Sequence, residues 1–259
     1  MNSNDSKIID QFSQTSENYS RSNLFAHGKD LDMILQHAQP LDKAMNVLDI
    51  ATGAGHVAIK IAPHVKQVIA IDITPKMAQK TIQNAKSQNI TNISAKTMNA
   101  ESIQFADKFF DIVTCRYAPH HFASIEKFLS EVSRVLKDNN GIFILIDVIA
   151  PEDSRMDLFI NNVNKIRDHT HVRSYTESQW KDSIKRAKLK ITSKINFSNT
   201  YDIDDWLSRA KTSKEDSQSI QHLFTNCNEE IKNHFNVQYS NDSRSFTEDI
   251  VMIKAKKIS

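Results

Sequence analysis

Two glycines and two aspartates stand at the spacing a nucleoside-binding turn requires. Gly53 and Gly55 lie one residue apart, directly after the apolar run 47–50, in a chain with only four glycines. Glycine costs backbone entropy and is most useful where φ is positive or a ligand approaches the main chain. Asp49 ends the run before the turn, and Asp72 ends the next apolar run, 67–72. A carboxylate about twenty residues beyond such a turn reaches the hydroxyls of a ribose held over it. Further along stand His120 and His121, then Arg167, His171 and Arg173. Imidazole titrates near neutral pH and accepts a substrate proton, and guanidinium forks bind carboxylates and carbonyls.

The stretch Gly53-Ala54-Gly55-His56-Val57-Ala58 fits the dinucleotide fingerprint G-x-G-x-x-G/A. Asp49 separates the two cofactor classes that use such a turn. A pyrophosphate is bound by backbone N–H groups and is repelled by a bare carboxylate. S-adenosylmethionine has no phosphate; it carries a sulfonium and an α-ammonium, which Asp49 would attract directly or through water. Asp72 would take both ribose hydroxyls, Ala51, Gly53 and Gly55 would form the turn, and Ile73 and Met77 would pack on the adenine.

These residues need a scaffold, and the hydropathy pattern predicts one. Strands are expected near 46–51, 67–72, 93–98, 110–115 and 141–148, and helices near 56–63, 75–88 and 122–137. Such alternation argues a parallel sheet covered on both faces. The run 141–148 is apolar almost throughout, as a central strand should be. Pro75, Pro119 and Pro151 follow soon after predicted strands, at the carboxyl ends where open α/β sheets bind ligands. Residues 6–38 read as helical. After Pro151 come helices over 153–188, a strand near 190–198, two helices within 202–235 and a last strand near 247–257, which suggests an added antiparallel pair.

The turn and its acidic partner resemble motif I and the acidic motif of class I S-adenosylmethionine-dependent methyltransferases. The resemblance continues in Met98-Asn99-Ala100-Glu101, in Asp107-Lys108-Phe109-Phe110-Asp111-Ile112-Val113, in the loop 115–122 and in the helix 128–137. It covers roughly residues 44–150, and the subgroup most similar is methyltransferase domain 11, the branch near ubiquinone and menaquinone biosynthesis methyltransferases. It implies that Asn99, Ala100 and Arg116 line the cofactor, the last two through their main chain, and that Tyr19 folds over it. Two positions depart from the family pattern. Asn99 stands where Asp is usual, though its amide oxygen still accepts a hydrogen bond from an adenine amino group. Lys137-Asp138-Asn139-Asn140-Gly141 replaces Pro-Gly-Gly before the fifth strand, and Asn tolerates the positive φ that this turn demands.

The expected architecture is therefore α/β: a Rossmann-like, doubly wound seven-stranded sheet, the last strand antiparallel, with helical lid additions. It forms one domain, with an N-terminal lid over 1–44, a cofactor core over 45–150 and substrate-side helices and final strands over 151–259. The expected reaction is methyl transfer from S-adenosylmethionine to a small, partly apolar acceptor at carbon, oxygen or nitrogen, leaving S-adenosylhomocysteine. His120 or His121 would serve as base, and Arg167, His171 and Arg173 would bind the acceptor. No ligand spacing among the histidines argues for a metal. A net charge of +2 and no basic stripe argue against nucleic acid. No stretch is apolar enough to span a membrane, the first residues lack a signal peptide's apolar core, and two cysteines form no framework, which together predict a cytoplasmic setting. Two other classes share the turn: a non-catalytic S-adenosylmethionine sensor or scaffold, and a nicotinamide-dependent oxidoreductase, against which Asp49 argues.

Overall fold

The structure, a computed structural model, describes residues 3–138, 140–239 and 244–258. Three helices lead: α1 (Ser3–Arg21), α2 (Asn23–His27) and α3 (Lys29–His37). The alternating core follows as β1 (Asn46–Ile50), α4 (His56–Ile61), β2 (Gln67–Asp72), α5 (Pro75–Ser87), β3 (Ile93–Thr97), β4 (Ile112–Arg116), α6 (Ile125–Val135) and β5 (Ile142–Val148). The remainder comprises α7 (Ser154–Arg167), α8 (Glu177–Arg186), β6 (Leu189–Asp202), α9 (Ile203–Ala210), α10 (Lys214–Asn226), α11 (Glu229–His234), β7 (Gln238–Tyr239) and β8 (Arg244–Lys257).

The strands form one sheet in the order β3-β2-β1-β4-β5-β8-β6, with β7 paired to β8 off that path. The first five are parallel. β8 runs against both β5 and β6, so it lies inside the sheet and β6 forms its edge. The seven expected strands are present, and two-residue β7, too short to read from a pattern, is the eighth. Strand order reverses between β1 and β4, which places a ligand crevice at their carboxyl ends. The region 202–235 holds three helices rather than two. Lys211 takes a left-handed φ of 55° at the end of α9, Ser213 caps α10, and the Asn228 side chain accepts from the Ile231 N–H to start α11. These are short-range terminations that an apolar pattern does not reveal.

Successive side chains of a strand point to opposite faces, and β1, β2, β4 and β5 are buried on both, while β3 at the edge is half-exposed. Phe143 and Leu145 of β5 join Leu48, Ile50 and Val113 beneath α6 and α8. Ile142, Ile144 and Ile146 join Val47, Val68 and Ala70 beneath α3 and α4. A third cluster, built on Trp206, Phe224, Phe235 and Phe246, packs the C-terminal helices onto β8. Each such side chain contributes about 1.5–3 kcal/mol by leaving water. The additions at the two ends of the chain meet, the Gln11 amide donating to the Ala210 carbonyl at 2.7 Å. Asn139, in the turn before β5, lies outside the described residues.

Candidate active site

The turn after β1 is left-handed at three places: Ala51 (φ 51°), Gly53 (57°) and Gly55 (87°). Asp72 holds it closed, its carboxylate accepting from the Gly53 N–H at 2.9 Å and the Thr74 N–H at 2.8 Å. Asp49 accepts from the hydroxyls of Thr52 (2.6 Å) and Thr114 (2.7 Å), which tie β1 to its own turn and to β4. Both carboxyl groups are buried, and burial pushes each up to about 6 against the lowering effect of these hydrogen bonds. Gly55 stands apart from the cavity lining; its place is the packing of the turn on Thr81 of α5.

One cavity extends from this turn to the histidines. Tyr19, Asp49, Ala51, Gly53, Asp72, Ile73, Met77, Asn99, Ala100 and Arg116 all line it. The Asn99 side-chain oxygen, Oδ1, accepts from the Glu101 N–H at 2.7 Å. Glu101 accepts in turn from the Ala123 and Ser124 N–H groups at 2.7 and 3.2 Å, which joins the loops after β3 and β4. The Arg116 side chain is committed elsewhere: its Nε and Nη2 donate to Asp30 at 2.5 and 3.0 Å and its Nη1 to the Phe25 carbonyl at 3.0 Å. It anchors the N-terminal helices to the end of β4. Tyr19 packs on Phe12 and Phe25, so that an aromatic row closes the cavity from that side.

The two adjacent histidines sit on a 3-10 turn, Pro119–His121, and differ in character. His120 Nδ1 lies 2.6 Å from Asp147 Oδ1, and its backbone N–H reaches Asp147 Oδ2 at 3.1 Å. A carboxylate only accepts, so Nδ1 carries the proton and the neutral ring keeps its lone pair on Nε2. Burial pulls the His120 pKa down, but the Asp147 charge and hydrogen bond more than reverse this, and the group titrates above the usual histidine value. His121 Nδ1 lies 3.0 Å from the Thr170 hydroxyl, which is itself 2.6 Å from Asp168 Oδ1. Burial, then repulsion by His120, drives His121 down to about 3. His171 bonds Asn161 Oδ1 through Nε2 at 3.0 Å, and burial drives it well below the usual range. The rings of His120 and His171 are 5.5 Å apart.

The expected acceptor residues divide. Arg167 and His171 line the cavity. Arg173 does not; it pairs with Asp157 at 2.6 Å. Among the lining residues that went unread in the sequence as site residues are His56, Arg209 and Glu248. His56 Nε2 is buried without a hydrogen-bond partner among the described residues, and burial lowers its pKa to about 4. Asp147, the partner of His120, also went unread, although one carboxylate within an apolar central strand was the available signal. Among the described residues no group of three or more His, Cys, Asp or Glu is arranged to hold a metal ion.

A parallel sheet with a glycine turn at its switch point, an acidic residue ending β2 and a deep cavity beside them defines a nucleoside-cofactor enzyme of the Rossmann-like class. Residues 41–194 match the model of a methyltransferase domain family. An uncharacterized methyltransferase of Bacillus subtilis, YcgJ, is 37% identical over 213 residues, spanning 82% of this chain and 83% of that one. The crystal structure of the YcgJ protein superimposes with a TM-score of 0.83 and 32% identity over 90% of this chain and 100% of that one. A demethylmenaquinone methyltransferase of Porphyromonas gingivalis is 37% identical, but over only 38% of this chain and 42% of its own. The chain belongs to the class I S-adenosylmethionine-dependent methyltransferases, and S-adenosylmethionine is its methyl donor.

Proposed function

We propose that the protein methylates a small, partly apolar acceptor at carbon, oxygen or nitrogen, with His120 as the base and Asp147 as the residue that positions it. The carrying observation is that one cavity joins the Gly53–Asp72 turn to the His120–Asp147 pair. The lining fits the cofactor on its own terms. Gly53 has open space where a Cβ would stand, an orphaned His56 Nε2 lies beside the turn, and two buried carboxylates suit a sulfonium, an ammonium and ribose hydroxyls. When bound, S-adenosylmethionine supplies an electrophilic methyl group. Asp49 would attract the ammonium, Asp72 would accept from the ribose, and Ile73, Met77, Asn99 and Ala100 would surround the adenine. The chain's further task is to exclude water and align the acceptor, which needs little more from a protein.

Where the acceptor carries a proton, His120 takes it. His121, held neutral by burial, is a poor base and serves as a wall of the site. Arg167 and His171 are read as acceptor contacts, and Arg173 as support through Asp157. Residues 1–44 and 151–259 act with the core 45–150 as one unit that closes over the acceptor. A net charge of +2 and a deep cavity lined by Phe12, Phe25, Phe122 and Trp206 support a small-molecule acceptor over nucleic acid. Among the described residues no helix is long and apolar enough to cross a membrane. Two free cysteines support a reducing, cytoplasmic setting, which fractionation of a tagged chain checks.

The test is release of S-adenosylhomocysteine across a panel of small hydroxylated and enolisable acceptors. His120→Gln should lower kcat by about 10²-fold or more and leave cofactor affinity near wild type. Because Asp147 raises His120, the acid limb of the rate profile should lie above pH 6.5. Asp147→Asn removes that effect and leaves burial, so the limb should move to lower pH as the plateau falls. Cofactor binding without turnover on any acceptor would support the sensor reading instead.

A further inference from the structure

Besides Arg116 and Arg167, the cavity holds a third arginine that neither the turn nor the histidines employ. Arg209, on α9, is 7% exposed, and its guanidinium lies 5.9 Å from the Phe25 ring and 5.5 Å from that of Tyr201. Its Nε is 3.4 Å from an Asp205 oxygen that is largely in solvent, but makes no hydrogen bond among the described residues. Arg167 donates through Nε to the Trp206 carbonyl at 3.0 Å, and its guanidinium lies 4.5 Å over the Trp206 ring. Both arginines line the cavity, and burial, then the Arg167 charge, lowers the pKa of Arg209.

The facing acids are already occupied in part. Glu248 Oε1 accepts from the Asn164 amide at 2.9 Å, and Asp168 Oδ1 accepts twice from Thr170, at 2.9 and 2.6 Å. Among the described residues neither guanidinium donates a hydrogen bond to a carboxylate in the cavity. Burying a cation without a hydrogen-bonded counter-charge is costly, and placing two together is more so. Aromatic faces hold both guanidinium planes in place, which leaves N–H edges for a planar partner.

We propose that Arg167 and Arg209 form an anion-binding subsite, and that the methyl acceptor carries a carboxylate or other compact oxyanion beside its apolar part. The second clause rests on the methyl-transfer reading; the first stands without it. An oxyanion on the acceptor would fix its orientation before the proton leaves for His120. The competing source of the same chemistry is the cofactor's own carboxylate.

The experiment follows the melting temperature of S-adenosylhomocysteine-saturated protein at constant ionic strength. Formate, acetate, benzoate and inorganic phosphate are titrated against formamide, acetamide and benzamide. The proposal expects a saturable rise with at least one anion and none with its amide. It expects that response to be lost in Arg209→Met and Arg167→Met, and weakened about tenfold in Arg209→Lys, which keeps the charge but not the fork. Arg209→Met should melt at or above wild type without anion, while its S-adenosylhomocysteine affinity changes less than threefold. If Arg209→Met fails to fold, Arg209→Lys decides the same point. Anions no better than amides would overturn the proposal, as would an undiminished response in the variants. A tenfold or larger loss of S-adenosylhomocysteine affinity would assign the pair to the cofactor and overturn it too. If wild type binds no S-adenosylhomocysteine, the methyl-transfer reading fails, and the contrast between anions and amides on the free protein still decides the subsite.

Discussion

At Gly55 an added Cβ would stand 2.7 Å from Thr81 Cγ2 and 3.2 Å from its Cα, on a backbone with φ of +87°. At Gly53 φ is +57° and nothing lies within 4 Å of that position. Gly53→Ala should therefore cost only the left-handed strain, about 1–2 kcal/mol, whereas Gly55→Ala adds a clash with the Thr81 side chain and a tight contact with its Cα. Urea unfolding should rank Gly55→Ala well below Gly53→Ala; equal losses would show that α5 yields freely. The residues of the candidate site were only partly legible. Gly53, Asp49 and Asp72 were readable because a local turn fixes their spacing. His120 was readable as one of a pair, but which of the two is basic was not, since Asp147 and Thr170 reach them from 27 and 49 residues away. Arg116 was expected at the cofactor through its main chain. That its side chain would be spent on Asp30, 86 residues away, has no signature in sequence.

The elements of the core were legible because each strand is an apolar run and each helix an apolar stripe, rules that act over a few residues. The additions obey longer-range rules. β6 alternates between half-buried and exposed positions over most of its 14 residues, yet only its pairing with β8 makes it the edge. The N-terminal helices depend on the Arg116–Asp30 pair, whose side chains are 6% and 5% exposed. Asp30→Ala would leave the Arg116 cation without this partner and should cost about 3–5 kcal/mol in urea unfolding. The double variant Asp30→Ala/Arg116→Met, with no charge left to bury, should recover part of that loss. A single-variant loss below about 1 kcal/mol would mean that the pair behaves like a solvated one.

For the molecule as a whole, the sheet supplies a crevice at its switch point, and the two ends of the chain close it. Residues from α1, α2, α7 and α9 line the same cavity as the turn after β1. The part of the cavity beyond the turn is the less legible half because it is assembled from segments distant in the chain, with His121, Asp168 and Arg209 drawn from three of them. A ligand that fills this cavity should stabilise the whole chain, by about 2.7 kcal/mol at a concentration 100 times its Kd. The most direct measurement is calorimetric titration of the purified protein with S-adenosylmethionine, with NAD in parallel and Asp72→Ala as the variant. The account predicts micromolar binding of S-adenosylmethionine, none of NAD, and at least about tenfold weaker binding in a variant that still melts cooperatively, a loss of about 1.4 kcal/mol. Absence of S-adenosylmethionine binding to the folded wild type, or unchanged binding in Asp72→Ala, would contradict it.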